Sequence, residues 1–270
     1  MKPVYEAWRK PQDSVSVTSG LPQAMRIKAI REENTRTRTY VLDGALDAAP
    51  GQFVMALLPG SDERPFSLAG DDPVSLTIAA VGPFSHEIGQ LRVGERLWVR
   101  GPLGRGYVLP TQPSHALLIG GGYGVAPLKF LAQRLLADGH AVSMIIGART
   151  AEDLLLAEAV KRMGVKLWTT TEDGSAGMAG LATDAIPSVI ALAGSVDTVV
   201  YACGPTGMLR AVASVCAARG LPFQLSWEAH MRCGIGLCGS CEVGAGWLTC
   251  LDGPVFDFNP LEYASWDKIR

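Results

Sequence analysis

The pattern of apolar and polar positions along the chain changes character near Gln112. Before that point apolar residues come in short runs: Met25 to Leu42, Gln52 to Leu58 (QFVMALL), Ser75 to Val81 (SLTIAAV) and Glu95 to Arg100 (ERLWVR). Glycine and proline separate them. Runs of this length and spacing predict the strands of an antiparallel barrel or sandwich. After Gln112, apolar runs of strand length alternate with stretches of helical period. His115 to Ile119, Ala141 to Ile146, Val165 to Thr170 and Thr198 to Ala202 read as strands; Leu128 to Ala137, Glu152 to Met163 and Met208 to Arg219 read as helices. Such alternation predicts a parallel sheet covered by helices. From Phe223 onward no further regular pattern is evident. The expected division is an extended arm (1–22), an antiparallel β unit (23–112), an α/β unit (113–222) and a small C-terminal module (223–270).

Composition narrows the classes. A chain of 270 residues is long enough for two domains and an appendage. A net charge of −2 gives no electrostatic case for nucleic acid or an anionic membrane. No apolar run reaches the ~18 residues of a membrane-spanning helix. The first 22 residues carry charge and proline without the apolar stretch of a secretory signal, so the expected location is cytoplasmic.

The cysteines change the picture most. Four of the six fall at Cys233, Cys238, Cys241 and Cys250, spaced C-x4-C-x2-C-x8-C. The first three have the spacing of plant-type [2Fe–2S] ligation. Gly234, Gly236 and Gly239 suit a loop that must turn tightly and bring backbone N–H groups to sulfur. Two other readings use the same thiols. Structural zinc normally takes two C-x2-4-C knuckles, of which there is one here; disulfides need an oxidising compartment. Cys203 and Cys216 stand alone in apolar runs and read as small core residues. His86, His115, His140 and His230 are scattered, with no i, i+4 pair to suggest a histidine metal site. No hydrolytic nucleophile signature is present.

Three more stretches carry candidate chemistry. Gly120, Gly121, Gly122 and Gly124 surround Tyr123 between an expected strand and helix, where backbone N–H groups and a helix N-terminus bind pyrophosphate. The loop departs from G-x-G-x-x-G, and the next strand ends in Gly147-Ala148-Arg149 with no acidic residue. Arg64-Pro65-Phe66-Ser67 combines a bidentate phosphate grip, an aromatic that can stack on a ring and a hydroxyl; an ordinary turn would read the same. Cys203-Gly204-Pro205 follows a parallel strand, where open α/β sheets place their ligands.

In this order, Arg-Pro-Phe-Ser, Gly-Gly-Gly-Tyr-Gly-Val-Ala-Pro, Gly-Ala-Arg and Cys-Gly-Pro resemble the ferredoxin–NAD(P) reductase-like flavoproteins. The ending Met231-Arg-Cys-Gly-Ile-Gly-Leu-Cys-Gly-Ser-Cys241, with Cys250-Leu-Asp-Gly-Pro-Val-Phe256, looks like the electron-transfer subunit of dihydroorotate dehydrogenase. It is equally similar to the flavin subunits of some hydrogenases and sulfite reductases. Thr171-Glu-Asp-Gly-Ser-Ala-Gly177 also matches these subunits, and the resemblance covers about residues 23–256.

The resemblance implies FAD on an antiparallel barrel, NAD(H) on a Rossmann-like domain and a C-terminal [2Fe–2S] cluster held by Cys233, Cys238, Cys241 and Cys250. Arg64 would bind an FAD phosphate, with Pro65 in the same motif, Phe66 beside the flavin and Ser67 facing the ring. Gly82 and Ser85 occupy the place of a phosphate turn, from which Pro83 and Phe84 depart. Gly120, Gly121, Gly122 and Gly124 would approach the dinucleotide. Cys203, Gly204 and Pro205 would stand by the nicotinamide, with Glu228 bordering the pocket. Ser67, Cys203 and Glu228 are then the residues nearest the reaction. NADH is expected over NADPH, because no basic cluster beyond Arg149 awaits a 2′-phosphate. The implied partner is an FMN-containing, dihydroorotate dehydrogenase-like catalytic subunit in a hetero-oligomer of pyrimidine biosynthesis. A hydrogenase-like or sulfite-reducing partner, a stand-alone NADH reductase and a non-redox zinc protein are the alternatives. Trp247, Leu248, Val255, Phe256 and Phe258 would suit either a subunit interface or packing within the module.

Overall fold

The computed structural model describes residues 20–193, 197–244 and 246–258. The expected arm, except residues 20–22, and the end of the C-terminal module lie outside them. The first half is built from β1 (Gln23–Asn34), β2 (Thr37–Leu42), β3 (Phe53–Leu57), β4 (Glu63–Asp71), β5 (Val74–Ala79), the short helix α1 (Pro83–Ile88) and β6 (Arg96–Leu103). The strands close into a barrel in the order β1-β2-β5-β4-β3-β6, every pairing antiparallel. Closure leaves no long unpaired edge, and alternate residues such as Met25, Ile27, Tyr40, Leu42, Leu68 and Leu76 fill the interior.

β4 is the strand that sequence alone did not pick out. Pro65 removes a ladder donor, which argues against a central strand. The barrel tolerates it because β4 changes partner halfway. Glu63 to Ser67 pair with β3, and Leu68 to Asp71 pair with β5. Along Glu63–Ser67 the strand therefore pairs on one side in these ladders, and Pro65 sits in that half.

The second half contains β7 (His115–Gly121), α2 (Val125–Ala137), β8 (Ala141–Ala148), α3 (Ala157–Arg162), β9 (Lys166–Thr171) and β10 (Met178–Ala179). It continues through α4 (Ala182–Ala193), β11 (Thr198–Cys203), α5 (Thr206–Arg219), β12 (Phe223–Ser226) and β13 (Val255–Phe258). The sheet order is β10-β9-β8-β7-β11-β12-β13, parallel except for β13. β7 and β11 are buried along their whole length, as their unbroken apolar runs require. One face packs on α4 and α5, the other on α2 and α3.

Three expectations change. The helix expected over Glu152–Met163 begins only at Ala157, after a 3₁₀ turn at Ala151–Asp153, because Leu156 takes the left-handed φ of 58°. α4, with Pro187 inside it, was not foreseen. The tail is not without regular structure either. Its four-residue strands β12 and β13 extend the sheet across the expected 222/223 boundary, and most of the aromatics among the tail's described residues are internal. Phe256 and Phe258 lie in the main core and Val255 in the opposite one, while Trp247 stays partly exposed against Phe256.

The units are joined by apolar packing and charge. α2 lies on β4, Phe130 enters the barrel core, Arg134 pairs with Asp71, and Arg36 pairs with Asp153 at 3.0 Å.

Candidate functional site: two adjoining cavities and a cysteine loop

A cavity of about 680 Å³ opens along the half of β4 that holds the Arg-Pro-Phe-Ser motif. Arg64, Pro65, Phe66 and Ser67 all line it. Gly82 and Ser85 join them from α1, Gly124 and Cys203 from the ends of the parallel sheet, and Glu228 from the segment after β12. The structure thus gathers into one wall residues that lie more than a hundred positions apart. Phe66 stacks on Phe84 with ring centroids 6.3 Å apart, so one of the residues departing from the expected phosphate turn is an aromatic wall. Arg64 is half-exposed and pairs with Asp62 at 2.5 Å. The Ser85 hydroxyl is occupied by its own turn: it donates to the Gly82 carbonyl at 3.0 Å and accepts the N–H groups of Val81 and Gly82 at 2.9 Å. Trp227, which no sequence signal marked, and Met231, at the head of the cysteine motif, complete the wall near the cysteine loop.

A second cavity of about 590 Å³ adjoins the first along the sheet's C-terminal edge. Gly121, Gly122 and Pro205 line it. Gly122 adopts φ +55° with open space where a Cβ would stand, so it is the loop position where conformation demands glycine. The other glycines serve close approach. A Cβ on Gly120 would meet Val125 at 2.9 Å, one on Gly124 the Cys203 carbonyl oxygen at 2.4 Å, and one on Gly204 the Met208 methyl at 2.6 Å. Gly120 and Gly204 therefore pack the ends of β7 and β11 behind the wall. The acidic residue missing at the end of β8 is supplied one strand later by Glu172. The barrel contributes Asn34 and Arg36, the latter neutralised by Asp153. These contributions come from turns of another unit and carried no local signal.

Tyr123 lines both cavities and donates a hydrogen bond to Glu228 at 3.2 Å. Glu228 is solvent-accessible within the cavity but surrounded by protein, and this desolvation raises its carboxyl pKa against the opposing pull of the Tyr123 bond. Burial pushes the Cys203 thiol up to about 12, with the Glu228 charge adding to it. Cys203 is therefore a neutral thiol at physiological pH, not a nucleophile. Ser67, Cys203 and Glu228 share the first cavity's wall.

The cysteine loop packs on the outside of the barrel. Cys241 and Cys250 are buried with Met231 against Phe53, Met55 and Leu103, and a Cβ on Gly234 would meet Met55 at 3.0 Å. Gly234, Gly236 and Gly239 have φ of 69°, 79° and 69°, which is why glycine recurs there. All six cysteines are free thiols. Cys241 and Cys250 lie 3.3 Å apart, and Cys238 lies near enough to Cys233 for that neighbour to help lower its pKa. The backbone N–H groups of Ile235 and Gly236 point at the sulfurs of Cys233 (3.5 Å) and Cys250 (3.1 Å). As thiols the extremes differ: the Ser240 hydrogen bond brings exposed Cys238 down to about 6, while burial lifts Cys250 to about 12. Two cysteine pairs with N–H donors aimed at sulfur fit a two-iron cluster, whose thiolates are stabilised by such donors. One side chain ties the loop to the barrel. Arg100 on β6 forks onto Glu63 at 3.0 and 2.9 Å and donates to the Cys233 carbonyl at 3.0 Å.

A six-stranded barrel joined to a parallel sheet, with adjoining cavities where they meet, defines an NAD-linked oxidoreductase of the ferredoxin reductase type. The model of the oxidoreductase NAD-binding domain matches residues 118–214. That of the iron-sulfur cluster binding domain of dihydroorotate dehydrogenase B matches residues 228–262. The structure of an NADH-dependent reduced ferredoxin-NADP oxidoreductase superposes with a TM-score of 0.78 at 28% identity, over 86% of this chain and 87% of that one. A protein of Methanopyrus kandleri, described as a probable dihydroorotate dehydrogenase B (NAD(+)), electron transfer subunit, is 39% identical over 89% of this chain and 92% of its own. One of Thermococcus kodakarensis with the same description is 41% identical over 80% and 88%. The chain belongs to the family of dihydroorotate dehydrogenase B electron transfer subunits.

Proposed function

We propose that this chain carries electrons between NAD(H) and a catalytic flavoprotein subunit that oxidises dihydroorotate, by way of FAD and a [2Fe–2S] cluster. The observation that carries the reading is spatial. The barrel cavity meets the dinucleotide cavity at Tyr123 on one side and approaches the cysteine loop at Met231 on the other. When bound, the cofactors supply two-electron chemistry at the flavin and one-electron chemistry at the cluster.

The chain's own residues bind, orient and exclude. Arg64 would grip an FAD phosphate, exchanging Asp62 for it, while the stacked Phe66 and Phe84 would wall one side of the ring system and Ser67 would offer it a hydroxyl. Ser85 and Gly82 shape the α1 turn rather than lend the serine hydroxyl. Gly122 would let backbone approach the dinucleotide pyrophosphate, beside Gly121, which packs closely on Pro205 and Met208. Cys203, a neutral thiol, and Glu228, held by Tyr123 with its carboxyl pKa raised by desolvation, would border the place where the two rings meet. Two acids, Asp153 and Glu172, offset the two arginines of this cavity, Arg36 and Arg149, a balance that leaves no excess positive charge to favour a 2′-phosphorylated dinucleotide over NADH. Cys233, Cys238, Cys241 and Cys250 hold the cluster. Four thiolate ligands suit a reducing, cytoplasmic setting.

The test is recovery of the chain from its native source, followed by assay of NAD-dependent dihydroorotate oxidation. Co-purification with an FMN subunit that catalyses this reaction supports the reading. Recovery with a flavin-free partner, or alone, refutes the dihydroorotate assignment.

A further inference from the structure

Thr170 and Thr171 stand side by side at the C-terminal end of β9, both completely buried. Thr171 is fully engaged: its hydroxyl donates to the Ala176 carbonyl at 2.8 Å and accepts the Ala176 N–H at 3.0 Å. The Thr170 hydroxyl, by contrast, is the one buried side-chain nitrogen or oxygen among the described residues with no hydrogen-bond partner. Thr170 lines the dinucleotide cavity, beneath Gly147 and beside the start of α4 at Ala182. A buried hydroxyl without a partner destabilises the fold, so one kept at a cavity floor points to what enters the cavity.

We propose that Thr170 is a ligand-binding residue whose hydroxyl receives its missing hydrogen bond from the adenosine half of the dinucleotide. The inference rests on the reading of this cavity given above. The end of the dinucleotide is set by topology. The nicotinamide must reach the barrel cavity, which meets this one at Tyr123 beside β7 and β11. The pyrophosphate passes Gly121–Gly122, and an extended dinucleotide then continues along the sheet edge over β8 to β9, where Thr170 and Glu172 lie. Ribose hydroxyls and the adenine edge both offer the complementary donors and acceptors.

The experiment measures NADH and 5′-AMP affinity and thermal stability for wild type, Thr170→Val, Thr170→Ser and Gly122→Val. Valine matches threonine in shape and removes the orphaned hydroxyl. The expected result is opposed: affinity for NADH and for 5′-AMP falls about three- to tenfold, while the unliganded protein melts roughly 2–4 °C higher. Serine retains wild-type affinity. Unchanged affinity for Thr170→Val, with Gly122→Val weakened, overturns the role of Thr170 and leaves the cavity assignment standing. Unchanged affinity in both variants overturns the cavity assignment itself. A loss of stability in Thr170→Val means that the hydroxyl is bonded within the protein, and overturns the proposal.

Discussion

The barrel cavity and the cysteine loop are both redox sites in this account, yet they are built in opposite ways. The cavity is assembled from strand, helix and loop segments between Phe53 and Pro254, each held by the packing of its own unit. The loop takes all four cysteines from one run of eighteen residues with little regular structure, shaped by five glycines at positive φ. Residues gathered by a scaffold are individually replaceable at modest cost. A contiguous loop depends on each ligand and on the few contacts that moor it, here the apolar patch around Met55 and Leu103 and the single guanidinium of Arg100. The loop should therefore break all at once, and the cavities by degrees.

The largest break is expected from Cys238→Ser. Iron content should fall to near zero while NADH still reduces the flavin, because the loop lies outside both cavities. An unchanged EPR signal of the reduced cluster would contradict the ligand assignment. Arg100→Gln tests the mooring. It removes the fork on Glu63 and weakens the hold on the Cys233 carbonyl, leaving a mostly buried carboxylate without its partner. Outer-sphere changes of this kind cost roughly 10- to 100-fold in metal retention, read as the rate of iron loss to a chelator. The cluster's reduction potential should fall as well, since a positive charge is lost beside it. Iron loss at the wild-type rate would show that Arg100 only decorates the loop.

On the cavity side, Gly122→Val places a β-branched residue at φ +55°, a strain of about 1–2 kcal/mol that should weaken NADH binding about tenfold without loss of FAD. Titration of NADH into the folded variant checks it. The smallest effect concerns His115, buried between Thr198 and Ser143. Burial first, and then the Lys166 charge, lower its pKa, so the folded state disfavours the proton that the unfolded state accepts near pH 6.5. Stability from this group is present above that pH and is lost on acidification, at most about 1.4 kcal/mol per pH unit. Melting curves between pH 7 and 5 should fall less steeply for His115→Gln than for wild type.

The same contrast explains what could be read from the sequence. The cysteine loop was legible because its ligands and their glycines are consecutive, and spacing is a local property. The barrel and the parallel sheet were legible through period alone. β4 was hidden by Pro65, which the change of strand partner at Leu68 accommodates, and β12 and β13 were hidden by being only four residues long. The dinucleotide cavity was half legible. Its glycine loop announced itself, whereas Arg36, Asp153, Thr170 and Glu172 arrive from turns and strand ends on different elements. Arg100 lies 133 positions from the Cys233 carbonyl it holds, and no window on the sequence contains both.

The central claim, that one chain links a two-electron site to a one-electron site, is tested most directly by anaerobic titration of the purified protein with NADH, followed by visible absorption and EPR. The account predicts bleaching of flavin and iron–sulfur bands together, with two electrons taken up at the flavin and one at the cluster, and an EPR signal of a reduced [2Fe–2S] centre that is missing in Cys238→Ser. A colourless protein, or one whose flavin is reduced by NADH while an intact cluster stays oxidised, would contradict it.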